Sequence, residues 1–134
     1  MACILIEMYT GELFFETRDD AEHLAMIEKE CGPLPSYMID GSSHETKRYF
    51  GPQHKFSGFE MKVNLQKHCR SSSVNQWKKM RLARELIQHE FNSFHSGFLS
   101  LIEFMMKADP SKRPSARSCL DHNFLKLEIP GTDQ

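Results

Sequence analysis

Glu22-His23-Leu24-Ala25-Met26-Ile27-Glu28-Lys29-Glu30-Cys31-Gly32-Pro33-Leu34-Pro35 reads as one short helix with both ends marked. Asp19 precedes it as a good N-cap, and Glu22 stands at the third helical position, where it can complete a capping box. The first turn is acidic, which the positive end of the helix dipole favours. Leu24, Ile27 and Cys31 recur at helical spacing and predict a narrow apolar face. Gly32 suits a left-handed stop, and Pro33 prevents continuation. By pattern alone this is an ordinary capped surface helix.

On its N-terminal side, residues 2–9 are apolar on nearly every face, and Thr10-Gly11 ends them. A helix of that kind belongs in the middle of a larger core. On the other side, from Ser36 to about Ser73, periodicity is lost. Gly41-Ser42-Ser43, Gly51-Pro52, Gly58 and Ser71-Ser72-Ser73 supply loop chemistry there. Residues 56–65 partly alternate and suggest a short hairpin strand. Trp77, Met80, Ala83, Ile87 and Phe91 then share one side of a helix predicted over 77–91. Phe94, Phe98, Leu101, Ile102 and Met105 mark another over about 95–107. Ser115 caps a last helix over 116–122, and 126–134 is a polar tail expected to fray.

A chain of 134 residues fits one domain and is long enough to bury a core. Hydrophobic residues make up 40% and charged residues 26%, as in a soluble protein, and the net charge of −1 points to neither nucleic acid nor an anionic membrane. The basic run from Lys78 to Arg84 is followed by Glu85 and Glu90 and reads as the solvated face of a helix. Cys3, Cys31, Cys69 and Cys119 are widely spaced, with no Cys-x-x-Cys pair. They read as reduced cysteines of a cytosolic or nuclear protein. His54, His68 and Cys69 are possible metal ligands but lack a recognised spacing. The apolar run at 2–8 is too short for a membrane span and has no basic leader.

The string itself says more than its pattern. Glu22, His23, Leu24, Ala25, Met26, Glu28, Gly32, Pro33 and Pro35 resemble the signature of LAMMER-type protein kinases, with Ile27 and Lys29 where that family usually has Met and Arg. In that family this is the G helix of the kinase C-lobe. The run Cys3-Ile4-Leu5-Ile6-Glu7-Met8-Tyr9-Thr10-Gly11-Glu12-Leu13-Phe14-Phe15 resembles the end of the F helix and the loop after it. Asp109-Pro110-Ser111-Lys112-Arg113-Pro114-Ser115-Ala116 resembles the last kinase subdomain, and Leu120-Asp121-His122-Asn123-Phe124 its Leu-x-His-Pro-Phe end, with Asn123 replacing Pro. The resemblance is strong over 2–35 and 94–125 and weak over 36–93. Both strong blocks occur in kinase order.

The resemblance implies a mainly α fold, the distal half of a protein-kinase C-lobe, with an irregular insert around 36–73. Residues 1–125 would form this partial kinase domain, its first residues lying inside the F helix. Kinase chemistry needs a Gly-rich loop, a Lys–Glu pair, a catalytic-loop Asp and Asn, and an Asp-Phe-Gly. No Gly-x-Gly-x-x-Gly, His-Arg-Asp, Asp-Phe-Gly or Ala-Pro-Glu occurs in this sequence. The expectation is therefore no catalytic, cofactor-binding or metal residue in the chain. ATP and Mg belong to the intact family, which phosphorylates proteins, especially Ser-Arg-rich splicing factors in the nucleus.

The residues singled out are structural or docking ones. Arg113, with Asp109 and Pro110, matches the kinase loop whose Arg is buried against the Glu of Ala-Pro-Glu. Here Arg113 is expected to be solvated, to use Glu7 or another acid, or simply to lie in a surface loop. Glu22, His23 and Met26 are the expected protein-docking surface on the G helix. Two functions stay open: a fragment of a dual-specificity kinase, or a kinase-derived interaction module without catalysis. Partners would be protein substrates, the rest of a kinase domain or a second copy, with no nucleic acid and no membrane. An unrelated helical domain is the distant third reading.

Overall fold

The computed structural model describes residues 1–55, 58–88 and 90–128. The first helix, α1 (Ala2–Thr10), stops where Gly11 takes φ 79° and ψ 4°, its N–H returning to Glu7 O at 2.8 Å. That left-handed conformation suits a residue without a Cβ. Next comes α2 (Asp20–Cys31), capped by Asp19, whose Oδ1 accepts the Glu22 N–H at 2.8 Å. The reciprocal half of a capping box is not formed: the Glu22 carboxylate accepts from Arg18 N at 3.1 Å instead. Gly32 ends α2 at φ 84° and ψ −178°, a positive-φ but extended conformation rather than the left-handed helical stop expected.

The stretch 36–73 is irregular in lacking long elements, yet it is not without order. It holds α3 (Ser36–Gly41), α4 (His44–Lys47) and an antiparallel hairpin of β1 (Phe50–Lys55) and β2 (Gly58–Val63), then α5 (Leu65–His68). The hairpin register runs from Phe50 opposite Val63 to Lys55 opposite Gly58. The strand expected over 56–65 is thus β2, with Phe56 and Ser57 outside the described residues. Ser71, Ser72 and Ser73, read as loop, instead form the first turn of α6 (Ser71–Lys79).

The helix predicted over 77–91 is broken. After α6 the chain leaves helical geometry at Met80 (φ −55°, ψ 125°) and resumes as α7 (Ala83–Leu86). Both sides of the break are held by α2. Lys29 Nζ donates to the carbonyls of Trp77 (2.8 Å), Lys78 (3.2 Å) and Met80 (2.7 Å), and Glu30 Oε2 accepts from Ala83 N at 3.0 Å. The basic run 78–84 spans this break and so is not one helix face. Then follow α8 (Ser93–Met105), capped by Asn92, α9 (Ala116–Leu120), capped by Ser115, and a 3-10 helix (Asn123–Lys126). Leu127 and Phe124 pack over Gly97, where an added Cβ would come within 3.1 and 3.2 Å of them. The expected frayed tail is therefore packed at its start, and 129–134 lie outside the described residues.

Apolar residues gather in two clusters. Ile6, Phe14, Ala83, Ile87, Leu99 and Ile102 join α1, α7 and α8. Ala25, Ile39, Phe50, Val63 and Leu65 join α2 to the hairpin and the short helices of the insert. The buried face of α2 is Ala21, Glu22, Ala25 and Met26; Leu24, Ile27 and Cys31, expected to be that face, are only half-buried.

Candidate functional site

The Asp109–Pro110–Arg113 loop follows α8. Asp109 Oδ1 accepts from the Ser111 hydroxyl (2.6 Å), the Tyr37 hydroxyl (2.7 Å) and the Ser111 N–H (2.9 Å). These bonds, the Ser111 hydroxyl first and Tyr37 next, hold its carboxyl below the usual carboxylate range. Arg113 is exposed and donates from Nε to Lys107 O (2.9 Å) and from a terminal nitrogen to Ala108 O (3.1 Å). Of the expectations for Arg113, the surface loop describes it. Both carbonyls belong to the loop just beyond α8, so Arg113 ties that loop back on itself. Glu7 is not its partner: Glu7 Oε1 accepts from Phe14 N at 3.2 Å.

The docking residues on α2 are not brought together on one surface. His23 is exposed, its ring 5.5 Å from that of Phe15. Glu22 and Met26 are 0% and 2% exposed. Glu22 is turned inward to bind the Arg18 N–H, so it is not part of a docking surface. Met26 forms the floor of a cleft of about 240 Å³, walled by Leu13, Phe14, Met80 and Leu86 and rimmed by Glu16. The contact of Tyr37 with Asp109 and the anchoring by Lys29 carry no sequence signal, because each joins positions far apart in the chain (72 residues for the former).

Chemistry of other kinds finds little here. No group of three or more His, Cys, Asp or Glu among the described residues is placed to hold a metal ion, and the His54 side chain lies outside them. All four cysteines are free. Burial, then Glu30, pushes the Cys31 thiol up to about 11, and burial, then the Asp19 carboxylate, pushes Cys69 up to about 12. Neither is a thiolate at neutral pH. Ser100 Oγ lies 3.4 Å from His122 Nε2, but His122 Nδ1 accepts from Phe124 N, so in the neutral ring Nε2 carries the proton and is no base for Ser100. No helix among the described residues is long and apolar enough to cross a membrane.

Comparison with solved structures defines the class: the fold is that of part of a protein-kinase domain. The crystal structure of the PF14_0431 kinase domain superposes with a TM-score of 0.72 at 30% identity, covering 92% of this chain and 33% of that one. Serine/threonine-protein kinase AFC3 of Arabidopsis thaliana is 32% identical over 94% of this chain and 30% of its own length. Dual specificity protein kinase CLK1 of Homo sapiens is 33% identical over 95% of this chain and 24% of its own. No protein-family model matches the chain. The chain belongs to the LAMMER-type kinases of the cyclin-dependent-kinase-like group and corresponds to the C-terminal part of their catalytic domain, from the F helix onward. It spans less than a third of the length of these two relatives.

Proposed function

We propose that this chain supplies the lower C-lobe of a Ser/Thr, dual-specificity protein kinase, as scaffold and as docking surface for protein substrates, and does not itself transfer phosphate. The observation that supports this is the match of 94% of the chain to 30% of a kinase, in a sequence with none of the ATP- and metal-handling motifs. In the complete enzyme ATP and Mg²⁺ would be held by those motifs. Ser-Arg-rich splicing factors in the nucleus are the substrate class and place that the family suggests, with the cytoplasm as the alternative. The cleft floored by Met26, with Leu13, Phe14, Met80 and Leu86 in its lining beside Glu12, Glu16, Lys79 and Arg81, suits a segment that carries apolar side chains flanked by charges of both signs. Calorimetry with ATP–Mg²⁺ and a Ser-Arg peptide tests the reading. The peptide is expected to bind and the nucleotide not to; micromolar nucleotide binding overturns it.

A second reading, a non-catalytic interaction module, is favoured by one feature. Met1, Ile4 and Met8 are 79%, 53% and 79% exposed along α1. That apolar face would be covered by the rest of a kinase domain or by a second copy. The transcript upstream of Met1 separates the two: an in-frame Asp-x-Trp-Ser and Ala-Pro-Glu favour the enzyme, and a true promoter and start favour the module.

A further inference from the structure

The loop before α2, the end of α5 and the start of α6 enclose a cleft of about 400 Å³, apart from the one floored by Met26. Arg18 and Arg70 both line it and both are exposed. Neither guanidinium has an ion pair or a hydrogen-bond partner among the described residues. His68 enters from α5. Its ring meets that of Tyr49 edge-on, with centroids 5.4 Å apart at 85°, which fixes its orientation. Its Nε2 is nonetheless buried and without a hydrogen-bond partner among the described residues. A buried polar nitrogen in that condition is unfavourable.

Ser72 and Ser73, also in the lining, belong to the first turn of α6. The N-cap of that nine-residue helix, Arg70, makes no side-chain cap bond, so the positive end of the helix carries N–H groups with no side-chain acceptor. One carboxylate is among the lining residues, that of Asp19, and it is engaged. Its Oδ1 accepts from Glu22 N at 2.8 Å and from the Cys69 thiol at 3.3 Å. The excess in this cleft is thus of donors and positive charge. Two guanidinium forks and a helix N-terminus around one hollow, with His68 in its lining, suit a compact, multiply charged acceptor.

We propose that this cleft binds a phosphate-class oxyanion, either the free anion or a small phosphate monoester. The test uses the full 134-residue chain, ¹⁵N-labelled, at fixed pH and constant ionic strength so that general screening does not vary. Inorganic phosphate and, separately, O-phosphoserine are titrated in, with serine as the blank. Saturable shifts are expected at the Ser71, Ser72 and Ser73 amides and at the His68 ring. Arg70→Ala and Arg18→Gln should each weaken binding about tenfold, as for one lost charge-assisted contact. Arg117→Ala, on α9, should leave it unchanged. Both arginines of the cleft are exposed, so both variants should keep the parent circular dichroism spectrum. Saturation by phosphate alone assigns the cleft to the free anion, and saturation by O-phosphoserine assigns it to the monoester; either supports the proposal. No saturable shift with either ligand, or binding that survives both substitutions, overturns it.

Discussion

Lys29 Nζ donates to the Trp77 carbonyl at 2.8 Å and lies 5.3 Å from the centroid of the Trp77 ring. Trp77 Nε1 in turn donates to Ala25 O at 3.2 Å. One ammonium therefore gathers the carbonyls that end α6, while the indole clamps the two helices together. Lys29→Met should lower stability by about 2 kcal/mol, the range for hydrogen bonds to a charged group. Lys29→Arg, the residue more usual in the family, keeps charge and donors and should lose clearly less. Thermal melts followed by circular dichroism compare the three; a Met variant that melts with the parent would show that the contact adds no net stability.

Glu22 offers a test of a buried acid. Its side chain is fully buried, Oε2 accepts from Arg18 N, and Oε1 has no partner among the described residues. Glu22→Gln keeps an acceptor for that N–H at nearly unchanged volume, so it should lose less than truncation does. Glu22→Ala leaves the N–H without its acceptor and should cost about 1–3 kcal/mol. Urea midpoints measure both. A Gln variant weaker than the Ala variant would contradict this account of the carboxylate.

The Tyr37–Asp109 contact should show in the acid limb of stability. The folded-state pKa of Asp109 is depressed, so the unfolded chain binds the proton more readily. Its contribution is therefore present above the ordinary carboxylate range and is lost as pH falls through the depressed value. Tyr37→Phe removes one of the two hydroxyl bonds and should move the acid-unfolding midpoint to higher pH. At neutral pH and above the loss should no longer vary with pH until the tyrosine itself titrates. Acid titration followed by tryptophan fluorescence reads this, and an unchanged midpoint would remove the contact from the account.

The exposed face of α1 should govern association. Ile6 is fully buried, whereas Ile4 and Met8 are not. Met8→Lys should therefore raise the monomer fraction in light scattering without lowering the melting temperature. Ile6→Ala should cost about 2–5 kcal/mol as a core truncation. If Met8→Lys lowers the melt as much as Ile6→Ala does, the face is already covered, and the case for a missing partner falls.

Much of the fold was legible because its signals are local. Asp19 before Glu22, Gly11 after α1 and Ser115 before α9 each act within a few residues, through hydrogen bonds that a short stretch can make by itself. The family resemblance was legible for a related reason: α2 and the Asp109–Arg113 loop are contiguous strings. The docking residues were less so. A helical wheel marks Leu24, Ile27 and Cys31 as the apolar face, but α2 is packed on more than one side, and its small residues Ala21 and Ala25 end up deepest together with Glu22 and Met26.

By itself, then, the sequence determined the stop of α1, the N-caps of α2 and α9 and the kinase class, since caps, stops and contiguous motifs need no distant partner. Tertiary structure alone decided the break between α6 and α7, the inward turn of Glu22, the exposed seat of Arg113 and the meeting of Arg18 with Arg70 and His68 at one cleft. Each depends on groups tens of residues apart, or on a choice between water and a neighbouring chain segment. A favourable 3.6-residue period over 77–91 was outweighed by an ammonium some fifty residues away, because three carbonyls bound to one charge are worth more than a turn of helix propensity.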